Sequence, residues 1–70
     1  MGKQLVAARP LPAGHVLVEG DLVAKSPDQG GLPPHRLDEL IGRTLVRGLR
    51  EDDAVLATDV EPAAVRAVAG

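Results

Sequence analysis

A chain of 70 residues with no cysteine and no aromatic residue can form only one small domain, and its core must be aliphatic. The missing residue types exclude disulfides, thiolate metal sites and the aromatic surfaces on which single-stranded nucleic acids stack. With 8 Lys and Arg against 10 Asp and Glu, the net charge of -2 gives no basic field for nucleic acid or an anionic membrane. We therefore expect neither as a partner.

The two ends of the chain carry no strong folding signal. Residues 1–3 lack the apolar segment of a secretion signal, and no apolar run approaches the roughly 20 residues of a membrane span. Residues 61–70 are rich in Ala and Val without turn or capping residues, so we expect them to fray. These features predict an N-terminal extension at 1–3, a domain at 4–60 and a flexible tail at 61–70. The absence of cysteine favours a cytoplasmic location.

Prolines and glycines divide the remaining chain into short elements. Runs of β-branched and aliphatic residues predict strands at 5–8, 16–18, 22–24, 44–46 and 55–56. One helix is predicted at 34–41, because Pro34 suits a first helical turn and Leu37, Leu40 and Ile41 share one face. Gly42 then provides its C-terminal stop. The predicted fold class is mainly β, with short strands, one short helix and single helical turns.

The chain also contains an internal repeat. Arg9-Pro10-Leu11 aligns with Arg47-Gly48-Leu49, and the same offset places 16–18 on 54–56 and 21–22 on 59–60. Each copy predicts a strand, an outward turn (12–15 or 50–53), a second strand and a helical turn that ends in Asp and an aliphatic residue. Two copies are too few for a solenoid, so we expect a pseudo-two-fold core.

We expect the inward positions of both copies and the helix to form the core of a cooperatively folding monomer. These positions are Val6, Val16, Leu22, Leu37, Leu40, Ile41, Val46, Leu49, Val55 and Val60.

Few residues have the chemistry of an active site. His15 and His35 lie in different turns without acidic residues at metal-ligand spacing, so we interpret both as solvated and predict no metal site. The acidic pairs 38–39 and 52–53 are adjacent in sequence and do not converge on one cavity, as acid/base catalysis requires. We place the first pair on the solvent face of the helix and the second in a tight turn that Asp tolerates. No catalytic residue is predicted.

One loop remains a candidate for binding. Residues 25–31 predict a mobile surface loop that has neither the spacing of a nucleophile elbow nor that of a phosphate-binding loop. Loops on rigid scaffolds often carry substrate contacts, which makes Lys25 a candidate.

Four blocks within about 4–60 carry a recognisable pattern: Leu5-Val6-Ala7-Ala8, Leu11-Pro12-Ala13-Gly14, Gly31-Leu32-Pro33-Pro34 and Leu40-Ile41-Gly42-Arg43. They resemble the SAF (antifreeze-like) domain at the C-terminus of sialic acid (N-acetylneuraminate) synthases, and the last two blocks are the most particular to the synthases. The resemblance implies a β-clip fold, which type III antifreeze proteins share.

The resemblance also implies a function. In the synthases a metal-dependent TIM barrel condenses phosphoenolpyruvate with N-acetylmannosamine or a related sugar, and the SAF domain covers the barrel of the partner subunit in a homodimer. The chain would then be a lid without catalytic residues or cofactor, and the divalent metal would belong to the barrel.

In bacterial members, an Arg in a Lys-Arg-Pro-Gly motif holds the N-acetyl group of the substrate. Here Lys25-Ser26-Pro27-Asp28 stand at those positions, and Ser26 is too short and uncharged to replace a guanidinium. Lys25 and Ser26 are the substrate-binding candidates.

The alternative is a stand-alone binding module that acts on ice or in pilus or flagellar assembly. Type III antifreeze proteins bind ice through a flat, weakly hydrated face. The corresponding positions here are Arg9, Pro10, His15, Glu19 and Asp21. Because the charged groups among them are strongly hydrated, we expect no ice binding.

Overall fold

The computed structural model describes residues 2–26 and 30–61, so most of the predicted tail and residues 27–29 of the predicted loop lie outside it. In chain order its regular elements are strand β1 (Gln4–Ala7), strand β2 (Leu22–Lys25), a 3-10 helix (Pro34–Arg36), helix α1 (Leu37–Leu40) and a second 3-10 helix (Ala57–Asp59). The described part of the chain contains no helix that is long and apolar enough to cross a membrane.

β1 is the central strand of the domain. It pairs with β2 in antiparallel register, with Val6 opposite Val23. On its other side, the Ala7 N–H donates to the Asp53 carbonyl (2.9 Å) and the Val55 N–H donates to the Leu5 carbonyl (3.0 Å). All four residues of β1 are buried, as the apolar run Leu5-Val6-Ala7 predicts for a strand that is covered on both faces.

The predicted repeat and its pseudo-two-fold arrangement are confirmed. Leu11 and Leu49 lie on the axis, where each N–H donates to the other's carbonyl at 2.8 Å. The alignment of the two copies matches Leu17 with Val55 and Leu5 with Arg43. In agreement with it, the Leu17 N–H donates to the Arg43 carbonyl (2.9 Å), just as the Val55 N–H donates to the Leu5 carbonyl. The related copies therefore begin earlier than the sequence indicated, and they comprise residues 5–22 (the first copy) and 43–60 (the second copy).

The predicted strands outside β1 and β2 are shorter than expected. Isolated bridges join Val16 to Thr44 and Leu45 to Val60. Residues 55–56 make no bridge, and the bridge to Val6 comes from the preceding residue, Ala54. Each segment turns away after one or two residues, because the two copies wrap around each other and do not lie side by side in one sheet.

The helical prediction is correct in extent, although its first turn is a 3-10 helix. The backbone leaves the helix at Ile41, and Gly42 has the positive φ of 90° that terminates it. The Gly42 N–H donates to the Leu17 carbonyl (2.8 Å), while Leu40 is buried and Leu37 packs at the edge of the core. A helix this short depends on that packing for its stability.

Two predicted core residues are wrong. Val16 and Val46 expose 49% and 52% of their surface, and their neighbours Leu17 and Leu45 are buried in their place. Successive side chains of extended backbone point to opposite faces, so an error of one position reverses the whole segment. Ile41 is only partly buried. The core includes five residues beyond the predicted set, which are Leu5, Ala7, Leu11, Leu17 and Leu45.

Candidate functional site

Lys25 and Ser26 lie where β2 ends. Lys25 is opposite Gln4 in the β ladder, and its Nζ lies 2.6 Å from Asp52 Oδ1, with 53% and 58% of the two side chains exposed. The hydrogen bond to Asp52, and then its charge, raise the pKa of Lys25 above its ordinary value, with a smaller contribution from Glu51. Ser26 follows as an exposed residue. The strand end thus presents an ammonium and a hydroxyl group to solvent.

After the loop, Gly31 lies close against Gln4 and Ala54, so a larger residue would crowd both side chains. A Cβ atom there would lie 2.8 Å from Gln4 Oε1 and 3.1 Å from the Ala54 Cβ. The Gly31 N–H donates to the same Gln4 oxygen (3.0 Å). The next residue, Leu32, donates its N–H to the Val55 carbonyl (2.9 Å) and accepts the Leu5 N–H at its own carbonyl (2.8 Å). Because both ends are fixed on or beside β1, the positions of Lys25 and Gly31 are set by the core.

Asp52 supports Lys25 from a tight turn. It has a φ of 71°, and its N–H donates to the Ala7 carbonyl (2.8 Å). The turn is closed by the Asp53 N–H, which donates to the Arg50 carbonyl (3.0 Å), and by the Arg50 N–H, which donates to Asp53 Oδ2 (2.8 Å). The predicted turn role of 52–53 is confirmed. The pairing of Asp52 with Lys25 was missed, since 27 positions separate them and no local pattern connects them.

A second polar cluster surrounds Asp21, whose side chain is fully buried. Asp21 binds the Arg9 guanidinium through Oδ1, while Oδ2 accepts the Val18 N–H (2.9 Å) and lies 2.7 Å from His15 Nε2. Burial by itself would raise the pKa of Asp21, but the Val18 hydrogen bond, His15 and Arg9 together lower it below its ordinary value. The prediction that His15 is a solvated turn residue is therefore wrong. Its side chain is 31% exposed and bound to a carboxylate.

The buried position of Asp21 also changes the charge expected on the face that corresponds to the ice-binding surface. Asp21 offers no hydrated charge, because its carboxylate is buried and paired. Arg9 and Glu19 remain exposed there. Val16 and Val18, between His15 and Glu19 in sequence, are about half exposed.

The second copy repeats part of the Asp21 cluster. Asp59 Oδ1 lies 2.5 Å from Arg47 Nε, and Asp59 Oδ2 accepts the Leu56 N–H (2.9 Å). Asp59 raises the pKa of Arg47, mainly through the side-chain hydrogen bond. Each buried aspartate thus holds an arginine of its own copy and the backbone N–H three residues before it, so both are structural. The predicted helical turn is found only in the second copy, at Ala57–Asp59, whereas the first copy has a turn with a positive φ of 98° at Gly20.

The remaining candidates do not converge. His35 and the acidic pair 38–39 are exposed, and Glu39 pairs with Arg36 at 2.8 Å. Across residues 2–26 and 30–61, no three His, Asp or Glu side chains are arranged to hold a metal ion.

The fold and these contacts define a small β domain of two intertwined copies that fixes one exposed strand end, Lys25–Ser26. The family model for the SAF domain matches residues 3–61, and the chain belongs to this family. A similar solved structure is the solution structure of an antifreeze protein like domain in the human N-acetylneuraminic acid phosphate synthase gene. It is 27% identical with a TM-score of 0.79, and the match covers 84% of this chain and 75% of that one. No curated protein matches the sequence.

Proposed function

We propose that this chain serves as an accessory domain of a sialic acid synthase-type enzyme, where it covers the active site of the partner subunit and contributes to dimerisation. Membership of the SAF family and likeness to a domain from a human synthase gene support this proposal. The observation that carries it is the anchored strand end, where Lys25 and Ser26 are exposed on a rigid support. A lid needs such a feature, because contacts to a second subunit require fixed donors.

Lys25 is the residue that we assign to the acceptor sugar. Its ammonium group can donate to the carbonyl of an N-acetyl group, and its exposed pairing with Asp52 is weak enough to be exchanged for a substrate contact. Ser26 occupies the position at which the bacterial motif has an arginine, and its hydroxyl group cannot span the same distance. Acceptor recognition would therefore depend on Lys25 more than on Ser26.

Catalysis would belong to the rest of the enzyme. The condensation of phosphoenolpyruvate with an N-acetylmannosamine-type sugar would take place in the TIM barrel, which would also bind the divalent metal. This chain would exclude water and hold the sugar from above. We accordingly expect the isolated chain to consume no phosphoenolpyruvate when it is mixed with N-acetylmannosamine and a divalent metal.

A chimera tests the proposal. The antifreeze-like domain of a sialic acid synthase is deleted or replaced by these 70 residues, and condensation is measured by steady-state kinetics. Replacement should restore the activity that deletion removes. In the chimera, Lys25→Ala should raise KM for the acceptor about tenfold through loss of a charge-assisted hydrogen bond, with little change in KM for phosphoenolpyruvate. Ser26→Ala should change either value less.

Arg36→Ala is the matched control, since Arg36 is also a partly exposed cation with a carboxylate partner, Glu39 at 2.8 Å, and it lies on the helical segment. A folded, dimeric chimera that stays inactive would refute the lid function. Equal kinetics for the Lys25→Ala and Arg36→Ala chimeras would show that Lys25 does not reach the sugar, even if the lid itself works.

A further inference from the structure

His15 breaks the symmetry between the two copies. Under the offset that aligns the copies, its mate is Asp53. Asp53 Oδ2 accepts the Arg50 N–H of its own turn, whereas His15 Nε2 reaches the buried Asp21. The first copy thus has one contact that the second lacks, and this contact joins an imidazole ring to a buried carboxylate.

The contact closes a short segment of chain. Asp21 Oδ2 binds His15 at one end of segment 15–18 and the Val18 N–H at the other. The backbone between them carries Val16 and Val18, which are both about half exposed. Whatever strengthens or weakens the His15 contact therefore changes how firmly this aliphatic surface is held.

We propose that His15 is a pH-sensitive latch, which holds segment 15–18 against Asp21 more firmly when the imidazole is protonated. An imidazolium ion adds a charge attraction to the carboxylate, which a neutral ring lacks. The neutral ring keeps at most a single hydrogen bond. Acidification through the range of about pH 5 to 8 should therefore tighten the segment, and a rise in pH should loosen it.

The neighbouring charges limit the size of this effect. Arg9 also binds Asp21, so it offsets part of the carboxylate charge that His15 experiences. The other titratable or charged residues on the segments around His15 are Glu19 on the same segment, Arg43 beside Leu17, and Glu61 beside Thr44. Because His15 is partly exposed, we expect a change of only a few-fold.

Amide hydrogen exchange of the 70-residue chain tests the latch. The Val18 N–H and its mate, the Leu56 N–H, donate to equivalent aspartate oxygens, so Leu56 is an internal control. Between about pH 5 and 8, protection at Val18, corrected for the intrinsic rate, should fall about threefold relative to Leu56. High salt should reduce this difference, because screening weakens a partly exposed ion pair.

Two variants complete the test. His15→Gln keeps a hydrogen-bonding side chain that cannot titrate, and it should remove the pH dependence of Val18, whereas His35→Gln should leave it intact. Parallel behaviour of Val18 and Leu56 in the unmodified chain would overturn the proposal without any variant. Persistence of the difference in a folded His15→Gln chain would also overturn it.

Discussion

The two copies of the repeat share a backbone but differ in the polar groups around their buried aspartates. Asp59 binds one arginine and one backbone N–H, whereas Asp21 binds the equivalent pair and His15 as well. The backbone pattern is reproduced bond by bond, including the reciprocal pair at Leu11 and Leu49. Both copies thus place one arginine and one backbone N–H on a buried aspartate, and the histidine is an addition to this shared arrangement.

The largest expected effect tests which residues form the shared core. Leu17→Ala removes a fully buried side chain and should reduce the free energy of unfolding by about 2–5 kcal/mol, a large fraction of the stability of so small a domain. Val16→Ala, one position earlier, should have little effect because Val16 is half exposed. Chemical denaturation measures both. Similar losses for the two variants would contradict the inward orientation of Leu17.

The next effect separates the two aspartates. Asp21→Asn removes the charge that three donors share and should reduce the free energy of unfolding by about 1–3 kcal/mol, because the amide cannot satisfy all of them in the same buried site. Asp59→Asn should reduce the free energy of unfolding by a smaller amount, since the Asp59 carboxylate has fewer partners than that of Asp21. Chemical denaturation of both variants measures the two losses. A larger loss in the Asp59→Asn chain would reverse the order that the contacts predict.

The smallest effect is the response to acid. The pKa of Asp21 is lower in the folded chain than its ordinary value of 3.8, so the unfolded chain binds the proton more readily. The contribution of Asp21 to stability is therefore complete above the ordinary value and is lost as the pH falls through the folded-state pKa. Thermal melts from about pH 5 to 2 should show a shallower acid dependence for Asp21→Asn than for the unmodified chain. Identical slopes would show that Asp21 is not stabilised as an anion.

Local chemistry made several features predictable. Gly42 ends the helix that begins at Pro34, and the aligned Arg9 and Arg47 segments indicate the duplicated core. Lys25 could be chosen as a binding candidate because it opens the predicted loop, and Ser26 because it stands at the arginine position of the bacterial motif. Other features had no local signal. The sequence did not show whether Val16 or Leu17 faces the core. Both residues are aliphatic, and only the opposing segment decides which one points inward.

The sequence by itself determined the aliphatic core, the short elements, the repeat and the turn at 52–53, because each depends on composition or on residues that are close in the chain. Only the tertiary structure decided that Asp52 supports Lys25 and that Asp21 is buried beneath Arg9 and His15. These contacts form when the two copies wrap around each other and their turns close. Whether a charged side chain is solvated or buried with a partner depends on groups that are distant in sequence, and no periodicity along the chain encodes it.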